Sequence, residues 1–126
     1  MGEAIKILLV DDNDSIRSLL RYSFQMDNRF KVVGEAFDGR SALRAIEMER
    51  PDVVVLDLMM PMMDGFHAIP QIQFSSPDTK ILVLTNAEVD EQGLRYKGAH
   101  DVRMKEEVFD GFGIMEAAAA LCDSYN

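Results

Sequence analysis

The run DVVVLD ends at Asp57, and the run KILLV is followed at once by Asp11 and Asp12. KILVLT ends at Thr85, and DVRMK ends at Lys105. Each of these polar residues closes or directly follows an apolar stretch of strand length. A fold that aligns the strands side by side therefore gathers them at one edge. Three carboxylates in one crevice raise one another's proton affinity unless a cation joins them. Their hard oxygen donors suit Mg2+, which prefers octahedral coordination and keeps several waters. With the charge offset in this way, a carboxylate can act as a nucleophile and form an acyl phosphate. Lysine offers a phosphoryl oxygen a compact positive charge, and threonine offers a rotatable hydroxyl. Asp57, at the lip of a β-branched run, is read as the phosphoryl acceptor.

The elements that must position these residues alternate regularly. Strand-like runs cover residues 6–10, 31–36, 52–57, 80–85 and 101–105, and several are continuous rather than alternating in hydrophobicity. Continuous runs are the mark of parallel strands covered on both faces. Between and after them come amphipathic stretches at 14–26, 39–49, 65–73, 90–97 and 111–122. In the first, Ile16, Leu19, Leu20 and Phe24 share a face, with Asp14 or Ser15 as the expected cap. Pro51 stops the second and Gly98 the fourth, and Pro70 inside the third should kink it or shift its start. The pattern predicts a doubly wound, flavodoxin-like (βα)5 fold with strand order 2-1-3-4-5. Ligands bind such sheets beyond the carboxyl ends of the strands, where the order reverses between the first and third.

The 126 residues suffice for one domain with a real core, and 1–126 is read as a single domain. No run approaches the roughly 20 apolar residues needed to cross a bilayer, and the N-terminus lacks a secretory layout. A single cysteine, Cys122, excludes an internal disulfide and fits a reducing compartment, so a cytoplasmic location is expected. The net charge of −9 disfavours direct nucleic-acid binding, which needs basic surface to neutralise phosphates.

Taken together, LLVDDND, VVVLDLMMPMMDG, ILVLTNA and GAHDVRMK make the sequence resemble, over essentially its whole length, a response-regulator receiver domain of bacterial two-component signalling. The resemblance implies that Asp57 takes a phosphoryl group from a sensor histidine kinase or a histidine phosphotransfer protein. It implies a Mg2+ site in which Asp12 binds directly, Asp11 helps through water, and Asp57 and the Met59 carbonyl complete the protein ligands. Thr85 and Lys105 would contact the phosphoryl oxygens, and Gly65 would start the helix after the MMDG loop. No output domain follows Asn126 in the sequence, as expected either of a single-domain regulator or of the receiver part of a longer protein, and MEAAAAL offers a homodimer face.

Departures from the family cluster late in the chain. Val102 stands where an aromatic side chain is usual, and Arg103 where an apolar one is. Glu106 follows the lysine where proline and a cis peptide are common. The interval from Thr85 to Lys105 is shorter than usual, and it contains Gly93, worse than Ala in a helix by about 1 kcal/mol. Phosphorylation is therefore expected to signal through a rearranged fourth helix or another surface. Met59 and Ala87 stand where side chains orient the hydrolytic water, and slow self-dephosphorylation is expected. Of Met59, Met60, Met62 and Met63, some are read as filling gaps beneath the loop and the rest as unremarkable, and His67 and His100 as unrelated to metal.

Three functions are weighed. The first is a phosphoryl-accepting switch, not an enzyme acting on other substrates. The second keeps the fold but works by constitutive protein binding, motivated by the unusual fifth strand. The third, an aspartyl-phosphate hydrolase of the haloacid dehalogenase type, needs a second aspartate where Met59 stands.

Overall fold

The computed structural model describes residues 3–59, 65–86, 89–110 and 113–122, with residues 65 and 66 described by their backbone alone. Five parallel strands, β1 (Ile5–Val10), β2 (Phe30–Ala36), β3 (Val53–Asp57), β4 (Lys80–Thr85) and β5 (Asp101–Met104), lie in the order β2-β1-β3-β4-β5. Helices α1 (Asp14–Gln25), α2 (Gly39–Glu49), α3 (Gly65–Ser75), α4 (Glu91–Lys97) and α5 (Gly113–Leu121) alternate with them. This is the flavodoxin-like arrangement read from the sequence.

Side-chain alternation splits the core in two. Leu8, Val10, Val54, Leu56, Ile81 and Val83 face α2, α3 and α4, packing on Ile46, Ile69, Ile72 and Leu94. Ile7, Leu9, Val53, Val55, Leu82 and Leu84 face α1 and α5, packing on Leu20, Phe24, Ala117 and Ala118. The central strands are thus buried on both sides, as their continuous hydrophobicity requires. Cys122 is buried with the α5 side of the core. The register of β1 on β2 steps from Ile7 opposite Val32 to Leu8 opposite Gly34, leaving Val33 as an extra residue on β2.

Local chemistry corrects some expected boundaries. The cap of α1 is Asn13, not Asp14 or Ser15: its extended backbone lets its side chain accept from the Ile16 N–H at 3.0 Å. Asp38 and Ser41 form a reciprocal capping box at the start of α2. Helix α3 starts at Gly65 as expected and runs on through Pro70 to Ser75. Gly98 ends α4 at φ 129°, where a side chain would be strained and would also collide with Gln73. Strand β5 stops at Met104, and Lys105 opens a 3-10 turn, Lys105–Phe109, held by the Glu107 carboxylate accepting from the Met104 N–H at 2.9 Å.

Candidate functional site

Strand parity decides which polar residues meet. Asp11 and Asp57 continue the rows of β1 and β3 that face α1 and α5, and Lys105 continues the Asp101–Arg103 row of β5 on that same face. The Lys105 Nζ lies 3.0 Å from Asp57 Oδ2 and 3.3 Å from Asp11 Oδ2. Each carboxylate spends its other oxygen on the backbone two residues on. Asp11 Oδ1 accepts from the Asn13 N–H at 2.8 Å, and Asp57 Oδ1 from the Met59 N–H at 3.1 Å. The two Oδ2 atoms are buried and, apart from the Lys105 ion pairs, have no hydrogen-bond partner. Asp12 is exposed and completes a trio whose oxygens lie within 4.8 Å of one another.

Burial raises the Asp57 carboxyl to about 6, and the Asp11 charge pushes the same way against the pull of Lys105 and the Met59 N–H. Burial alone would lower the Lys105 ammonium, but the two carboxylates outweigh it and its pKa is raised. Among the described residues, Lys105 is the cation that ion-pairs within this group of three acids. Two orphaned, buried carboxylate oxygens beside a third exposed carboxylate are a hard-oxygen donor set that fits a divalent cation such as Mg2+.

The chain matches the response regulator receiver domain family over residues 7–111. It belongs to that family. A transcriptional regulatory protein of Bacillus subtilis strain 168, YhcZ, is 46% identical over 82 residues, covering 65% of this chain and 38% of its own. A protein-glutamate methylesterase/protein-glutamine glutaminase of Rhodopseudomonas palustris strain BisB18 is 32% identical over 123 residues, covering 95% of this chain and 34% of its own. The receiver domain therefore spans little more than a third of the length of these relatives. The response regulator domain of Thermotoga maritima CheB has the same fold, with a TM-score of 0.87 at 22% identity over 96% of this chain and 98% of that one.

Thr85 also lies at the carboxyl edge of the receiver sheet, buried at the end of β4, but on the row that faces α4. There it lines a cavity of about 430 Å3 with Val89, Val102 and Met104 as apolar wall and Glu91, Arg103 and Glu107 as charged rim. Arg103 is accommodated because β5 is an edge strand and its guanidinium pairs with Asp101 at 3.2 Å and Glu107 at 3.7 Å. No cis peptide occurs among the described residues, and these include Lys105–Glu106. The Met59 side chain is exposed. Residues 60–64 and Ala87 lie outside the described residues. His67 lies on α3 and His100 in the connection between α4 and β5. His100 Nδ1 instead accepts the Ile81 N–H at 3.0 Å.

Sequence reasoning missed Arg17, Asn13 and Glu35, which surround Asp11. A capping asparagine at position 13 is visible in the sequence, but the pairing of Arg17 with Glu35, at 2.9 Å, appears only once β2 lies beside α1. Among the described residues no helix is long and apolar enough to cross a membrane.

Proposed function

We propose that the receiver domain is a switch in which Asp57 accepts a phosphoryl group from a histidine kinase or a histidine phosphotransfer protein. Asp11, Asp12, Asp57 and the Met59 carbonyl would hold Mg2+, which when bound offsets the charge of the incoming phosphoryl oxygens. The observation that carries this reading is the Lys105 ammonium, 3.0 Å from a buried Asp57 oxygen that, apart from this ion pair, has no hydrogen-bond partner. That oxygen is the nucleophile, because its twin is fixed by the Met59 N–H. Its attack on phosphorus forms a P–O bond as the P–N bond of a phosphohistidine breaks, and the imidazole leaves with the electron pair. Lys105 then moves its charge from carboxylate to phosphoryl oxygen, and the Thr85 hydroxyl donates to another.

The output is a changed surface read by a further domain or a partner, as the regulatory names of the longer relatives suggest. The domain needs no contact with nucleic acid for this, and a homodimer through α5 is one form the new surface could take. The reading as a constitutive binding module draws on the cavity beside Val102, which leaves the usual coupling between Thr85 and β5 without a bulky side chain. Intact mass after incubation with acetyl phosphate and Mg2+ separates the two. A single phosphoryl adduct lost in Asp57→Asn and in EDTA is expected of the switch. A folded protein that takes no adduct supports the binding module.

A further inference from the structure

Arg17 is 18% exposed and spreads its guanidinium over three parts of the chain. Nη1 donates to the Asp11 carbonyl oxygen at 2.7 Å, Nε to Glu35 Oε1 at 2.9 Å, and Nη2 to Asp14 Oδ1 at 2.7 Å. Glu35 Oε2 in turn accepts from Arg21 Nη1 at 2.7 Å, so β2 is tied to two successive turns of α1. These are charge-assisted bonds from a planar donor, stronger and more directional than neutral ones.

The clamp closes on the peptide that joins Asp11 to Asp12. On its near side the Asp11 N–H donates to the Ala36 carbonyl at 3.1 Å, and on its far side the Asn13 N–H is held by Asp11 Oδ1 at 2.8 Å. Those two bonds anchor the neighbouring peptides; the Asp11–Asp12 plane itself carries the Asp11 carbonyl and the Asp12 N–H, and Arg17 holds the carbonyl. Rotation of the plane would re-aim the carboxylates of both Asp11 and Asp12, two of the three that converge within 4.8 Å.

We propose that Arg17 is a positioning residue for the cation site: by gripping the Asp11 carbonyl from α1, it aims the Asp11 and Asp12 carboxylates at a shared divalent cation. This rests on the reading of Asp11, Asp12 and Asp57 as the cation's ligands. Groups that orient metal ligands cost about 10–100-fold in affinity when removed. A lysine at position 17 keeps the charge but cannot grip Asp11, Glu35 and Asp14 together.

The test is Mn2+ titration followed by the paramagnetic resonance signal of the free ion, beside urea unfolding in EDTA. Arg17→Gln is expected to weaken Mn2+ binding about tenfold, and Arg17→Lys to recover part of the loss. A role in stability alone would lower the unfolding midpoint and leave the Kd of the folded protein unchanged, and that result overturns the proposal. If Arg17→Gln fails to fold, Glu35→Gln loosens the same clamp from β2, and an unchanged Kd there overturns it equally. Wild-type protein that binds no Mn2+ sinks the cation reading as well, which separates that failure from a failure of Arg17 alone.

Discussion

Lys105 Nζ sits 3.0 Å from Asp57 Oδ2, and the carboxylate it pairs with is still harder to ionise than one in water. The ion pair is outweighed by burial and by the Asp11 charge. Ionised Asp57 is thus a strain on the fold until something positive arrives from outside the chain.

Asp57→Asn should therefore stabilise the receiver domain at neutral pH. The folded pKa of about 6 lies above the ordinary carboxylate value of 3.8. Stability from the protonated group is full below 3.8 and is lost as pH rises through about 6. The amide escapes that loss, so the variant should gain about 1–2 kcal/mol at pH 7.5, after forfeiting its Lys105 ion pair. Urea unfolding at pH 7.5 and at pH 4 tests this. A gain of equal size at both pH values would show that the charge of Asp57 is not its source.

His100 should make the opposite contribution. Burial, then Lys80 and Arg95, lower its pKa, and its unprotonated Nδ1 accepts the Ile81 N–H. A histidine with a lowered folded pKa contributes stability that is full above the unfolded value of 6.5 and lost as pH falls through the folded one. His100→Ala should cost about 1 kcal/mol at pH 8 and less at pH 5. A cost that does not shrink on acidification would remove this role.

Val102 borders the 430 Å3 cavity under Thr85, whereas Val54 sits in the fully covered centre of the sheet. Val102→Phe should accordingly change stability by less than about 1 kcal/mol, while Val54→Phe should cost about 1–3 kcal/mol through overpacking. Equal losses in the two variants, by thermal or urea unfolding, would mean that the space beside β5 does not accept a ring.

Met59 projects into solvent and offers water only a weak thioether acceptor. Met59→Asn should hydrolyse a phosphorylated Asp57 several-fold faster, read as the decay of the intact-mass adduct after donor removal. An unchanged half-life would assign slow hydrolysis to another cause.

Much of this was legible beforehand because the relevant signals are local. Asp11, Asp57 and Lys105 each lie just beyond apolar residues, and a two-residue alternation carried along each strand puts all three on one face. Thr85 was legible as an edge residue, but its row faces α4, which depends on the register of β4 with β5. The end of β5 was misjudged by one residue because Glu107 reaches back to the Met104 N–H, a contact no strand propensity encodes. Arg17 was hidden for a topological reason. Its partner Glu35 lies on another element, and nothing in the surrounding pattern marks either as more than a solvated charge.

The extra residue in β2 can be read as a frameshift in a two-letter code. Before Val33, even-numbered Phe30 and Val32 are written toward α1 and α5; after it, odd-numbered Glu35 is, and Ala36 is written to the other side. Were the same residues to run as a regular strand, with no bulge at Val33, Glu35 would be addressed to the α2 face, and Arg17 would reach across to the wrong letter. The electrostatic clamp on Asp11 is thus spelled by neither arginine nor glutamate alone, but by the bulge at Val33 that turns Glu35 toward α1.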